Sequence, residues 1–299
     1  MFRPFITICC LSVWGAVASA DPRDAHSLCL PIGTPSVSGY GALLPLGQGG
    51  SSQTVLSGVP GYQWYHGCGP TAVGMVLGYW DTQGFDLLIP GDASTQSAAV
   101  NQAIASNEHY ADYALPIDSP STGLLSDKSL TGNAHVSNSI ADFMQTSWST
   151  RNNYYGWSWF SDIDNALTGY TSYTNSAYGS NYQATAYGRT WGSFTWSQYL
   201  AEIDAGRPLV LLVDTDGNGG TDHFVTAVGY RDINGYNEYA CLDTWAPSDQ
   251  IRWESFQGLK SGNSWGIYGA TYFSITPEPG MMVIVALAVA CGVIARRRR

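Results

Sequence analysis

Asn234-Gly235 sits between two apolar runs, HFVTAVGY (223–230) and EYACLDTW (238–245), and commits this stretch to an antiparallel hairpin. Both turn residues tolerate positive φ, and such turns twist in the sense that paired strands require. Pro208 opens a further β run at Leu209–Val213, and GIYGATYFSI (266–275) reads as a last strand. The chain upstream carries a different period. Val73, Val76, Leu77 and Trp80 recur at spacings of three and four, so a helix is expected over 70–80. Residues 97–107 and 136–146 look like further amphipathic helices, and Trp196, Leu200 and Ile203 form another that ends at Gly206. Helices lead and strands follow, which points to an α+β fold. Residues 147–191 are rich in Tyr, Trp, Ser, Asn and Gly. They read as an insertion of edge strands and broad loops packed on its own aromatics, which could also face sugar rings or peptides. Residues 21–57 read as an entry segment lying on the domain, with short strands at most.

Both termini read as addresses. Residues 1–20 hold a basic residue, an apolar stretch and Ala18-Ser19-Ala20, the pattern of a signal peptide cleaved after Ala20. At the other end, Gly280 to Ala295 is an uncharged apolar run followed by Arg296 to Arg299. As a helix it would rise roughly 24 Å, a little short of a bilayer core of about 30 Å. The arginines would hold the C-terminus on the cytoplasmic side. With Pro277-Glu278-Pro279 in front, the tail at 277–299 closely resembles the PEP-CTERM sorting signal of Gram-negative bacteria. That resemblance implies an exosortase-type sorting enzyme as partner and the inner membrane as a transient or permanent anchor. The expected location is the cell envelope or extracellular matrix.

Between the termini the chain carries eight basic residues against 22 acidic ones, a charge near −14. An anionic body repels phosphate backbones, so nucleic acid is not an expected partner. Cys9 and Cys10 leave with the signal peptide and Cys291 lies in the tail, so the mature body keeps Cys29, Cys68 and Cys241. In an oxidising compartment three cysteines leave one thiol over, and three pairings are open. Pairing of Cys29 with Cys241 would leave Cys68 free; a bridged Cys68 would not be a reactive thiol.

Cys68 lies in HGCGPTAVG, where Pro70 fits the first turn of a helix. A helix N-terminus offers unpaired N–H groups and partial positive charge, which favour a thiolate. Gly67 and Gly69 permit a tight turn and leave room for a substrate backbone. A thiol nucleophile also needs a base. His26, His66, His109 and His135 lie near the mature N-terminus, in the turn before Cys68, or in polar loops. His223 opens an apolar strand, where its ring can face a cleft. Asp243 ends the next strand, so a hairpin can bring the two together and let the carboxylate orient the imidazole. Asp222 would point away from His223, as a surface residue or a loop cap. Gln63 could offer its amide to a developing oxyanion.

YQWYHGCGPTAVGMVLGYW, IDAGRPLVLLV, DHFVTAVGY and CLDTW occur in that order. Together they resemble the bacteriocin-processing, double-glycine-leader peptidases of the papain-like cysteine proteases, over roughly residues 58–275. The resemblance implies a helical lobe followed by an antiparallel β lobe. It also implies Cys68 as nucleophile, His223 as general base, Asp243 as orienter and Gln63 as oxyanion donor, and it calls for no cofactor. Thr244 follows Asp243 where family members often carry proline. The expected activity is hydrolysis of peptide or amide bonds in a peptide or protein substrate. The alternative is a non-catalytic matrix or surface-binding protein. A second motif, DTDGNGGTD (214–222), places Asp214, Asp216, Asn218 and Asp222 at calcium-hand positions, but the twelfth position is Val225. An acidic hairpin loop beside the active-site strand is the better reading.

Overall fold

The computed structural model describes residues 26–27, 51–113, 126–246 and 250–278. The signal-peptide reading at 1–20 lies outside these residues, as does the tail reading at 277–299 apart from Pro277 and Glu278. Among the described residues no helix is long and apolar enough to cross a membrane.

In chain order the elements are β1 (His26–Ser27), β2 (Ser51–Val55), α1 (Cys68–Thr82), α2 (Ala98–Ile104), α3 (Asn107–Tyr113), α4 (Lys128–Thr131) and α5 (Ile140–Phe143). They continue with β3 (Ser158–Trp159), α6 (Ile163–Tyr178), β4 (Tyr182–Thr190), α7 (Trp196–Asp204), β5 (Leu209–Asp214), β6 (His223–Ile233), β7 (Tyr236–Leu242), β8 (Arg252–Ser255) and β9 (Gly266–Pro277). The protein is a mixed helix and antiparallel-sheet molecule of the α+β, papain-like kind. The main sheet runs β4-β9-β5-β6-β7-β8, with β2 also paired to β6. All its pairings are antiparallel. The expected turn forms: Asn234 and Gly235 take φ of 55° and 88°, and Ile233 pairs with Tyr236.

The alternation of strand side chains divides the core into two layers. Val210 and Leu212 of β5, with Phe224 and Val228 of β6, face the layer that holds α1. Leu209, Leu211, Val213, Val225 and Ala227 face the other, which holds Tyr199 and Ile203 of α7. Helix α1 is buried from Cys68 to Tyr79, as expected of a helix apolar on all sides. It lies against β6, so a residue at its first turn sits over the start of that strand.

Three expectations need correction. The helix expected over 97–107 is α2, which is capped by Ser97 but stops at Ile104 because Ala105 is extended, and a separate helix, α3, starts at Asn107. The helix expected at 136–146 contracts to the single turn α5. The Tyr-rich stretch is not all loop and edge strand, since it contains α6, a helix of 16 residues. Its Thr, Ser, Asn and Tyr residues are weak helix formers. Packing overrides that weakness: Ile163, Ala166, Leu167, Tyr170 and Thr174 form a buried stripe. Its partner β4 is an edge strand, as expected.

A buried polar network ties the short helices together. Asp142 on α5 sits 2.6 Å from His109 Nδ1 through Oδ1. Its Oδ2 accepts from the backbone N–H groups of Asn138 and Ser139 and the Ser139 hydroxyl, and lies 3.1 Å from His135 Nε2. His135 Nδ1 in turn lies 2.8 Å from Asp112. Burial alone would lower the His135 imidazole, but the hydrogen bond it donates to Asp112 and the charge of Asp142 hold it above its ordinary value. Burial would raise Asp142, yet His109 and the donors at 138 and 139 bring it down to about 2. The His135 contribution to stability is therefore present in full below about pH 6.5 and is lost as pH rises through its raised value. The Asp142 contribution is present above about pH 4 and is lost as pH falls toward 2. Replacing His135 with Gln should thus lower the melting temperature more at pH 5.5 than at pH 9. Equal losses at both values would show that the charge on His135 contributes nothing.

Candidate active site

The loop that leads into α1 is shaped by its own sequence. Thr71 Oγ1 accepts from the Tyr65 backbone N–H at 3.0 Å and donates to the Gly67 carbonyl at 2.7 Å. Gly67 caps the helix with φ 149° and His66 takes φ 55°, so the chain turns sharply into Cys68, the first helical residue. A Cβ on Gly67 would lie 3.0 Å from the Gly156 carbonyl and from Pro70. A Cβ on Gly69 would lie 2.5 Å from Met144 Cε and 3.2 Å from the Phe224 ring. The turn is as expected. The space the two glycines leave, however, is filled by the protein rather than kept open for substrate.

Cys68 and His223 are both fully buried, at 0% exposure. The Phe224 backbone N–H points to the Cys68 sulfur at 3.3 Å, so the sulfur rests against the residue that follows His223. The sulfur is not a thiol. Cys68 is disulfide-bonded. Cys241 is free and buried, and burial pushes its thiol well up. The pairing of Cys29 with Cys241 is therefore not formed. In this oxidised state Cys68 cannot act as a nucleophile, and a thiol must be regenerated before it can.

His223 opens β6, and its Nε2 lies 2.7 Å from the main-chain carbonyl of Asp243. A carbonyl only accepts, so Nε2 carries the proton and the lone pair of the neutral ring falls on Nδ1. Trp245 stacks on the ring at 3.9 Å between centroids. Burial lowers the His223 imidazole to about 4, although the carbonyl and charge of Asp243 pull the other way. The Asp243 carboxylate serves its own loop: Oδ1 accepts from Trp245 and Ala246 N–H at 3.0 Å each, and Oδ2 from Arg252 Nε at 2.9 Å. The atom of Asp243 that meets the imidazole in this bond is thus the carbonyl, held in place by a loop the carboxylate organises. That loop also meets the entry to α1, because the Trp64 N–H donates to the Thr244 carbonyl at 2.6 Å.

Gln63 is exposed, and its backbone N–H and carbonyl both bond to the side chain of Gln96. This clamp fixes its backbone at the surface, whereas Cys68 lies beneath. His66 is partly buried, with Nδ1 2.6 Å from the Tyr155 hydroxyl, and burial, then the nearby His109, lowers it to about 4. Asp222 does cap a loop, accepting from the Thr215 N–H and hydroxyl. Asp214, Asp216 and Asp222 offer oxygens within 4.8 Å of one another. Those of Asp214 already accept from Gly217 and Gly219 N–H, as a self-capped acidic loop would.

The model of the Peptidase_C39 like family matches residues 56–273, well over half of the chain. The chain belongs to the Peptidase_C39 like family. No curated protein matches it. Within this Peptidase_C39 like domain the match begins just after β2 and ends inside β9, so it takes in the loop before Cys68, His223 and Asp243.

Two residues at the site escaped the sequence reading. Trp245 was in plain view, two positions after Asp243, but nothing in CLDTW says that its ring returns onto His223. Arg252 carried a fainter signal. It is one of few cations in an anionic body and lies between Ile251 and Trp253, a setting in which a charge survives only with buried partners. The shifts at the site predict that in the oxidised protein His223 and His66 stay neutral down to about pH 4. Nitrogen-15 spectra of the imidazoles check this directly. Midpoints near 6.5 for both would mean that neither ring is desolvated.

Proposed function

We propose that the protein is an exported cysteine peptidase or amidase whose nucleophile is Cys68 in its thiol form. The supporting observation is the seat of the Cys68 sulfur at the first turn of α1. It accepts from the backbone N–H of Phe224, the residue that follows His223 in β6, and the Nε2–H of His223 is held by a fixed carbonyl. In this reading Nδ1 of His223 takes the Cys68 proton as sulfur attacks the carbonyl carbon of a peptide or amide bond. The imidazolium returns the proton to the leaving amine, and water hydrolyses the thioester. Asp243 positions the imidazole through its carbonyl and its loop. Gln63, or the backbone N–H groups at the start of α1, would face the oxyanion. No cofactor enters any step. Export by residues 1–20, sorting at 277–299 by an exosortase-type enzyme and residence in the cell envelope complete the proposal, with a peptide or protein rather than nucleic acid as substrate.

A second reading, a non-catalytic envelope or matrix protein on the same fold, has its own support in the bridged state of Cys68 and the complete burial of His223. Incubating the reduced protein with a complex peptide mixture and sequencing the new termini by mass spectrometry separates the two. New termini that disappear in Cys68→Ala support the enzyme. Identical termini with and without protein leave the binding role.

A further inference from the structure

A pocket of about 280 Å³ opens between α2, the start of α3 and the C-terminal half of α6, and neither Cys68 nor His223 lines it. Helix α6 gives it three aromatic rings, Tyr170, Tyr173 and Tyr178. Tyr170 is buried, Tyr173 is half-buried and Tyr178 is exposed, so the rings run from the interior to the rim. The Tyr170 and Tyr173 rings stand 5.7 Å apart at 39°, and those of Tyr173 and Tyr178 stand 6.0 Å apart at 80°. Rings so inclined make a corner of faces rather than one flat platform.

The charge around this corner is one-sided. Among the described residues that line the pocket none is cationic, and Glu108 is the one carboxylate. Tyr178 is the last residue of α6, and the C-terminal end of a helix carries partial negative charge. Burial, then Tyr178, and then the charges of Asp142 and Glu108 raise the Tyr173 phenol to about 12, so the field is negative and the ring stays neutral. Asn138 lines the same pocket, with its backbone N–H fixed on Asp142. Its side-chain Oδ1 is buried with no hydrogen-bond partner among the described residues. A buried acceptor without a donor is uncommon, and the torsion that turns an amide is soft. A small rotation therefore hands this oxygen to a donor that enters the pocket.

We propose that the pocket binds an alkylammonium group, as carried by a lysine side chain or by a small free amine. The tyrosine faces attract the cation, Glu108 pairs with its charge and Asn138 accepts one of its N–H groups. A neutral sugar ring, the other ligand that a tyrosine-rich wall suggests, fits less well. It carries a hydroxyl on most of its carbons, and the pocket has few polar groups to meet them. Gln102 has both ends of its amide bonded to Asn107, and Ser106 Oγ accepts from the His109 N–H. Hydroxyls left unpaired there would cost binding. The anionic body of the chain also draws cations toward it.

The experiment titrates the isotope-labelled full chain and follows the amide signals of Glu108, Asn138, Tyr173 and Tyr178 by nuclear magnetic resonance. Butylammonium chloride should shift them saturably. Butan-1-ol, which keeps the chain and a donor but has no charge, should bind at least about fivefold more weakly. Tyr178→Leu and Glu108→Gln, both at exposed positions, should each weaken butylammonium by at least about threefold. Gly-Lys-Gly with blocked ends separates the two sources: tighter binding than butylammonium assigns the cation to a peptide lysine, and weaker binding assigns it to a free amine. Equal binding of butan-1-ol overturns the proposal, and so does an absence of saturable shifts at these residues. Methyl glucoside binding as tightly as butylammonium overturns it in favour of a sugar. Should Tyr178→Leu fail to fold, judged by near-ultraviolet circular dichroism, Glu108→Gln and the butanol comparison still decide.

Discussion

Cys68→Ala should lower hydrolysis by the reduced protein by at least about 10³-fold, the scale on which covalent catalysis depends on its nucleophile. His223→Ala should cost about 10²- to 10⁴-fold, the usual worth of a positioned base. The two losses should not add. Once the sulfur is gone the imidazole has no proton to take, so the double variant should match Cys68→Ala within the error of the assay. Steady-state rates on a peptide found by terminus mapping measure all three. Multiplying losses in the double variant would mean that Cys68 and His223 act separately, and the pairing of helix and strand would lose its meaning.

Arg252→Met should destabilise the fold by about 3–5 kcal/mol, the cost of breaking a buried ion pair from one side. Arg252 and Asp243 have side chains 1% exposed and meet at 2.9 Å, while Glu254 lies 3.2 Å from the guanidinium. The guanidinium also stands 4.2 Å from the centre of the Trp265 ring, with Trp265 edge-on to His223. Removing the cation strands two carboxylates against an apolar layer. Burial already pushes Glu254 up to about 7, against the pull of Arg252. Its contribution to stability is present below about pH 4.5 and is lost as pH rises through about 7, so the variant should suffer more at pH 8 than at pH 5. Urea denaturation at both values provides the check. Adding Asp243→Asn to Arg252→Met should recover part of the loss, because one stranded charge is gone. A single variant within about 1 kcal/mol of the parent would show that water reaches the pair.

The legible parts of this chain were those where local chemistry and tertiary context agree. Asn234-Gly235 forms the turn it encodes, and Leu209–Val213 and 223–230 form adjacent strands, because turn preference, β-branching and burial all favour that outcome. Pro70 after Cys68 marked the start of α1 to within two residues. Helix α6 was hidden because Thr, Ser, Asn and Tyr weaken local helix propensity, and its stripe becomes decisive only when the sheet packs against it. The site was legible in its residue types and less so in its atoms. Placing Asp243 at the end of a strand beside His223 followed from the hairpin. Use of its carbonyl on the imidazole, with its carboxylate turned to Arg252, depends on a cation nine residues further on. The state of Cys68 was beyond local reading altogether, because three cysteines admit three pairings and only spatial neighbourhood chooses among them.

The central claim is that His223 activates the Cys68 sulfur across the junction of α1 and β6. The rate of Cys68 alkylation by iodoacetamide at pH 6, in reduced protein with and without His223→Ala, tests it most directly. The account predicts at least about tenfold faster labelling with the histidine present, since an ordinary thiol of pKa about 8.5 is almost wholly protonated at that pH. Equal rates in the two proteins, at the slow pace of an ordinary thiol, would contradict it.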